Sequence, residues 1–233
     1  MKNIVIIGAG KGIGLATARL LSQGNQVYAF SRSESADLDE LNVKFSVFDA
    51  TAGDFSPLEA LPDEIHGLVY CPGSINLKPF HRLSKEDFLN DFNQNVLGAV
   101  QVIQKILPNL KRAGSSSVVM FSTVASKLGM PFHASVAASK SAVEGLTKSL
   151  AAEYAANNIR VNCIAPSLTD TPLAEKLLGS PEKREAAANR HPLKALGSAE
   201  EMAALVEFFI SDKSSWISGQ IIGVDGGMGS LKV

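Results

Sequence analysis

Tyrosine is scarce in this chain, with three in 233 residues, and cysteine scarcer still, with two. Cys71 and Cys163 lie far apart, each in an apolar run. That suits burial as small hydrophobes better than a bridge. Neither sign of charge is in excess: 22 Lys and Arg face 23 Asp and Glu, a net charge of −1. No electrostatic footprint for nucleic acid or an anionic membrane surface results. Long apolar runs are missing too, and MKNIVIIGAG has only four apolar residues in a row before its glycine. That is too short for a signal peptide or a membrane span. A cytoplasmic location is expected, with neither membrane nor nucleic acid as partner. No repeat, low-complexity tract or linker interrupts the chain, and no metal site is expected.

What the chain does have is alternation. NIVIIG, QVYAF, VKFSVF, GLVYC, SVVMFS, IRVNCIA and QIIGV are short apolar runs rich in Val, Ile and Phe, and read as strands covered on both faces. Helical patterns lie between them, near residues 12–23, 84–111, 134–157 and 198–211. Strand followed by helix, repeated, predicts a parallel sheet with right-handed crossovers. The expected fold class is α/β: a doubly wound parallel sheet of about seven strands (a Rossmann fold) in a single domain, 1–233. Such a sheet binds its ligand beyond the carboxyl ends of its strands, so the residues ending the strands are the ones to inspect.

The first of these ends is Gly8-Ala9-Gly10-Lys11-Gly12-Ile13-Gly14, between an apolar strand and an apolar-periodic helix. Glycines there let the backbone turn tightly and approach a pyrophosphate, and the helix that follows offers free N–H groups and its positive dipole end. In this strand–turn–helix context the loop predicts dinucleotide binding. At the end of the second strand, a carboxylate would bind the ribose 2′-hydroxyl of NAD, whereas cations would accept the 2′-phosphate of NADP. The chain has Ser31-Arg32 there, with Lys11 in the glycine loop. NADP(H) is favoured over NAD(H). Glu34 is the only nearby acid and reads as solvated. Asp49-Ala50 ends the third strand, and Cys71-Pro72-Gly73 the fourth.

These features resemble the short-chain dehydrogenase/reductase (SDR) family over nearly the whole chain. GxxxGxG matches at Gly8, Gly12 and Gly14; Asp49 resembles the family's adenine-contacting aspartate; Gly73 matches the glycine of its Asn-Ala-Gly. Asn95, in QNVLG, matches the family's helix asparagine. IRVNCIAPSLTDT resembles the sixth strand and its nicotinamide-side loop, carrying Pro166, Leu168 and Thr171, with Ser167 replacing the usual glycine. SGQIIGVDGG resembles the last strand and turn. The resemblance implies a small-molecule substrate and a homodimer or homotetramer formed through the long helix from Ala134 to Ala156.

Family members usually carry Tyr-x-x-x-Lys on that helix. The lysine binds the nicotinamide ribose and lowers the tyrosine's pKa. The tyrosine protonates the carbonyl oxygen as hydride arrives, helped by a serine thirteen residues earlier. On this chain the lysine falls on Lys140, the serine on Thr123 with Ser122 beside it, and the tyrosine on Val136. Tyr28, Tyr70 and Tyr154 are not placed to substitute. Three readings stay open: an oxidoreductase with another proton donor, an NADP-binding protein with little catalysis, or an interaction subunit. For the first, candidate donors are His133 and a water held by Thr123 and Lys140. His133 stands seven residues before Lys140, the tyrosine-to-lysine spacing of the family's enoyl reductase branch, and histidine supplies protons near neutrality.

The segment 171–196 resembles the family's substrate-covering loop. Its Arg184, Arg190, His191 and Lys194 suit an acidic substrate, and equally suit solvated helix faces. Phe80, His81 and Met130 are candidate pocket residues. Trp216 and Phe208-Phe209 are expected to pack beneath the last strand.

Overall fold

The computed structural model of the chain describes residues 1–232. Seven strands form one parallel sheet: β1 (Asn3–Ile7), β2 (Gln26–Ser31), β3 (Val43–Val47), β4 (Gly67–Tyr70), β5 (Ser116–Phe121), β6 (Ile159–Pro166) and a last strand, β9 (Ile221–Val224). Their order is β3-β2-β1-β4-β5-β6-β9. The winding reverses between β1 and β4, which opens a crevice at the carboxyl ends of those strands. A two-stranded ribbon of β7 (Thr169–Asp170) and β8 (Gly197–Ser198) was not foreseen. It ties the two ends of the 171–196 segment together.

Helices cover both faces. On one, α4 (Gly98–Arg112) and α5 (Ala134–Tyr154) pack Val102, Ile106, Leu110, Val143 and Ala151 against Val5, Leu68 and Val118. On the other, α1 (Gly12–Leu21) and α7 (Ala199–Ile210) pack Ala18, Leu21, Met202, Val206 and Phe209 against Ile4, Ile6 and Val119. This double cover explains why the central strands are continuous apolar runs. Local chemistry sets the helix starts: Ser198 and Glu201 form a reciprocal capping box on α7, and Ser84 with Asp87 does the same for α3 (Lys85–Phe92). Two further helices, α2 (Ala36–Asp39) and α6 (Pro181–Asn189), complete the set.

Three expectations need correction. The helix expected over 84–111 is two, α3 and α4, joined by a π-helical turn, Asn93–Leu97. β3 is an edge strand with Lys44, Ser46 and Val47 exposed, so its apolar run is covered on one side only. Trp216 is 99% exposed and packs under nothing, because the chain turns outward after Asp212–Ser214 before entering β9. Of the neighbouring aromatics, Phe209 is buried and Phe208 packs at the core's margin.

Candidate active site

The glycine loop joins β1 to α1. Gly8 and Gly12 have φ of +82° and +56°, a region costly for any side chain with a Cβ. A Cβ on Gly14 would lie 2.1 Å from the Gly8 carbonyl oxygen, so loop and helix are in backbone contact. α1 starts at Gly12 with no side-chain cap and no acid in its first turn, unlike α3, α6 and α7, each capped by a serine. Its first N–H groups and its dipole therefore face outward uncompensated, with Lys11 exposed beside them. Gly10 lies against Ser31, and the Ser35 hydroxyl donates to the Gly10 carbonyl at 2.9 Å. These residues fit a dinucleotide's pyrophosphate.

At the far end of the crevice Ser31 is buried, with its hydroxyl donating to the Ser33 carbonyl, while Arg32 and Glu34 are exposed. Asp49 accepts from the Thr51 backbone N–H at 2.8 Å and its hydroxyl at 2.7 Å. Burial works to raise its pKa, but those bonds and the Arg32 charge outweigh it and hold the carboxyl below its usual value. Ala50 is buried against Gly98 at the start of α4.

A cavity of about 430 Å³ opens at the crevice's other end. Ile13, Cys71, Gly73, Ser122, Thr123, His133, Val136, Lys140, Pro166, Leu168 and Thr171 all reach its wall. It thus gathers residues from the ends of β1, β4, β5 and β6 and from α5. Met130 lines it as well, whereas the exposed Phe80 and His81 do not.

Lys140 is buried, and its Nζ donates to the Phe121 carbonyl at 2.9 Å. Burial pulls it down to about 8, opposed by the Asp91 carboxylate. Cys71 and Cys163, both pushed up to about 12 by burial, are neutral thiols beside it. Of the alanines around Lys140, Ala138 lies on the outer surface; the lysine is buried by the sheet and the β4 loop. A Cβ on Gly73 would stand 3.5 Å from Nζ and 3.9 Å from Asn95 Oδ1.

The two hydroxyls after β5 differ in their freedom. Ser122 donates to Glu144 Oε1 at 2.6 Å, and Ser126 shares that carboxylate. Thr123 accepts the Ala125 N–H at 3.3 Å and keeps its own proton to donate. Val136, on the helical turn before Lys140, is buried in the cavity wall. His133 caps the start of α5, its Nδ1 2.6 Å from the Pro131 carbonyl. It follows Phe132, held at φ +69°, so the chain adopts a costly conformation next to the cavity.

Sequence reasoning named Asn95 but missed the polar groups that cluster with it behind Lys140. Asp91 is buried with Oδ1 bonded to the Ser74 hydroxyl at 2.5 Å. Its Oδ2, Asn95 Oδ1 and Ser135 Oγ have no partner among the described residues, and Asn95 Nδ2 donates to Ser139 Oγ at 2.9 Å. Asp91 and Asn95 are four apart on consecutive turns, but a lone Asp inside a helical pattern reads as solvated.

A family model described as enoyl-(acyl carrier protein) reductase matches residues 8–229. The 3-oxoacyl-[acyl-carrier-protein] reductase FabG of Thermotoga maritima is 34% identical, over 97% of each chain. The chain belongs to the short-chain dehydrogenase/reductase family. Bovine L-xylulose reductase is 31% identical, over 97% of this chain and 96% of its own. The ligand-free aldohexose dehydrogenase of Thermoplasma acidophilum is 27% identical with a TM-score of 0.91, over 100% of this chain and 96% of that one. ElxO with NADP bound is 25% identical with a TM-score of 0.90, over 99% of both. The cavity lies at the carboxyl ends of β4, β5 and β6, against α5.

Proposed function

We propose that the chain is an NADP(H)-dependent SDR oxidoreductase of a small carbonyl or alcohol substrate, whose proton donor is not a tyrosine. The carrying observation is Lys140, a buried cation in the cavity wall, with the free Thr123 hydroxyl lining the same cavity and Val136 where the resemblance assigns the tyrosine. Gly8, Gly10, Gly12, Ile13 and Gly14 would hold the pyrophosphate. Lys11 and Arg32, with Ser31, would hold the 2′-phosphate, and Asp49 and Ala50 would border the adenine. Gly73, Pro166, Leu168, Thr171 and Lys140 would border the nicotinamide riboside. The cofactor, when bound, supplies or accepts the hydride.

This chain's own residues do the rest. Thr123 orients the carbonyl oxygen by hydrogen bond, and the Lys140 charge stabilises negative charge developing there. A water held by Thr123 and Lys140 delivers the proton, with Asn95 among the polar groups behind it. Ser122, tied to Glu144, fixes the middle of α5 against the end of β5. His133 is the weaker donor: with Nδ1–H given to Pro131, a neutral ring offers the cavity only an acceptor at Nε2.

The test is turnover of NADPH over a carbonyl panel by wild type and Val136→Tyr. Because a positioned general acid contributes about 10²–10⁴-fold, the variant should gain orders of magnitude in kcat. Tight NADPH binding with no turnover by either protein would instead mark a cofactor-binding protein.

We further propose that copies pair through α5 as a homodimer, the unit of a homotetramer. Ala138, Ser141, Gly145, Ser149 and Ala152 form an exposed stripe at spacings of 3, 4, 4 and 3, flanked by exposed Leu89 and Phe92 of α3. Sedimentation should find Gly145→Glu in a smaller assembly than the wild type; an unchanged assembly removes α5 from the interface.

A further inference from the structure

The cavity carries a charge pattern that hydride transfer does not require. α6 and the residue after it turn Lys183, Ala186, Ala187 and Arg190 toward the cavity, a set that shares one helical face. The two cations are seven residues apart, about 10 Å along the axis, with only methyl groups between them. No Asp or Glu lines the cavity. Neither Lys183 nor Arg190 joins an ion pair among the described residues, whereas Arg184, next to Lys183 in sequence, is held by Asp170. Arg184 thus anchors the covering segment, and Lys183 and Arg190 are left for something else.

The rest of this segment's wall is mainly apolar, Leu173, Ala174 and Leu177, with Thr171 and the buried His191, whose ring is bonded to Ser167, as its polar members; Ile75 and Leu77 line the cavity as well. Two uncompensated cations above an apolar cavity select a ligand that is apolar along its body and anionic at one end. The guanidinium fork matches a carboxylate, and Lys183 adds a second, mobile charge. The small side chains of Ala186 and Ala187 leave the path between the cations open.

Resting on the oxidoreductase reading above, we propose that the substrate class is an oxo acid, or the corresponding hydroxy acid, with an apolar chain. Its carboxylate binds between Lys183 and Arg190, and its carbonyl reaches Thr123 and Lys140.

The test is calorimetric titration of the NADP⁺-saturated protein with medium-chain oxo acids and with their methyl esters, a readout that needs no turnover. The acid should bind at least tenfold tighter than its ester. Lys183→Ala/Arg190→Ala should erase that difference, and Arg190→Lys should keep part of it. The NADP⁺ affinity of each variant reports that fold and cofactor site are intact. Equal binding of acid and ester, no binding of either to a protein that holds NADP⁺, or a preference surviving the double variant would each overturn the inference while leaving the oxidoreductase reading standing. A wild-type protein that takes up no NADP⁺ would defeat both.

Discussion

Burying the Lys140 ammonium costs solvation that the Phe121 carbonyl, at 2.9 Å, and the Asp91 carboxylate only partly offset. The result is a lysine near 8, close to physiological pH, facing a cavity in which Val136 offers no proton. If the proton reaches the substrate through a water on protonated Lys140, the competent form is present below about 8 and disappears as pH rises through that value. The kcat for carbonyl reduction should then fall about tenfold per unit above pH 8, and His133→Ala should leave that limb in place. A limb that His133→Ala abolishes would make the imidazolium the donor. Lys140, Thr123 and Asn95 were singled out in the sequence through the family resemblance, and the fold sets Lys140 and Thr123 in one cavity wall with Asn95 behind it. Asp91 and Glu144 were not, since nothing in a one-dimensional pattern says that a helical carboxylate faces inward.

Among the elements, the β1–α1 loop is the most tightly determined. Gly14 touches the Gly8 carbonyl so closely that Gly14→Ala must push the helix away from the loop. We expect that variant to unfold at lower denaturant by about 2 kcal/mol and to lose NADPH affinity more than tenfold. An unchanged affinity would mean that the loop does not hold the cofactor. The strand–turn–helix pattern made this loop readable from its glycines alone. The π-turn Asn93–Leu97 was not readable, because one extra residue in a helical turn leaves no composition signal. It buries Asn95 and Val96 while leaving Leu97 exposed, and so aims the asparagine inward toward Lys140. β3 was recognised as a strand, but its edge position depends on what pairs beside it, and apolar content does not record that.

The molecule as a whole is a sheet whose winding reverses between β1 and β4, and the alternation of apolar runs with helical periods was enough to foresee it. No helix among the described residues is long and apolar enough to cross a membrane. Lost to sequence reading were the features made by the fold's closure: the β7–β8 ribbon, the cavity-facing side of α6, and the outward turn that leaves Trp216 in solvent. What would unite the parts is the proposed cofactor, laid from Arg32 and Asp49 at one end of the crevice to Lys140 at the other. Calorimetric titration of the purified chain with NADPH and with NADH tests that directly. NADPH should bind at least tenfold tighter, with Arg32→Ala reducing the difference. Absence of binding by either nucleotide would contradict the account at its base.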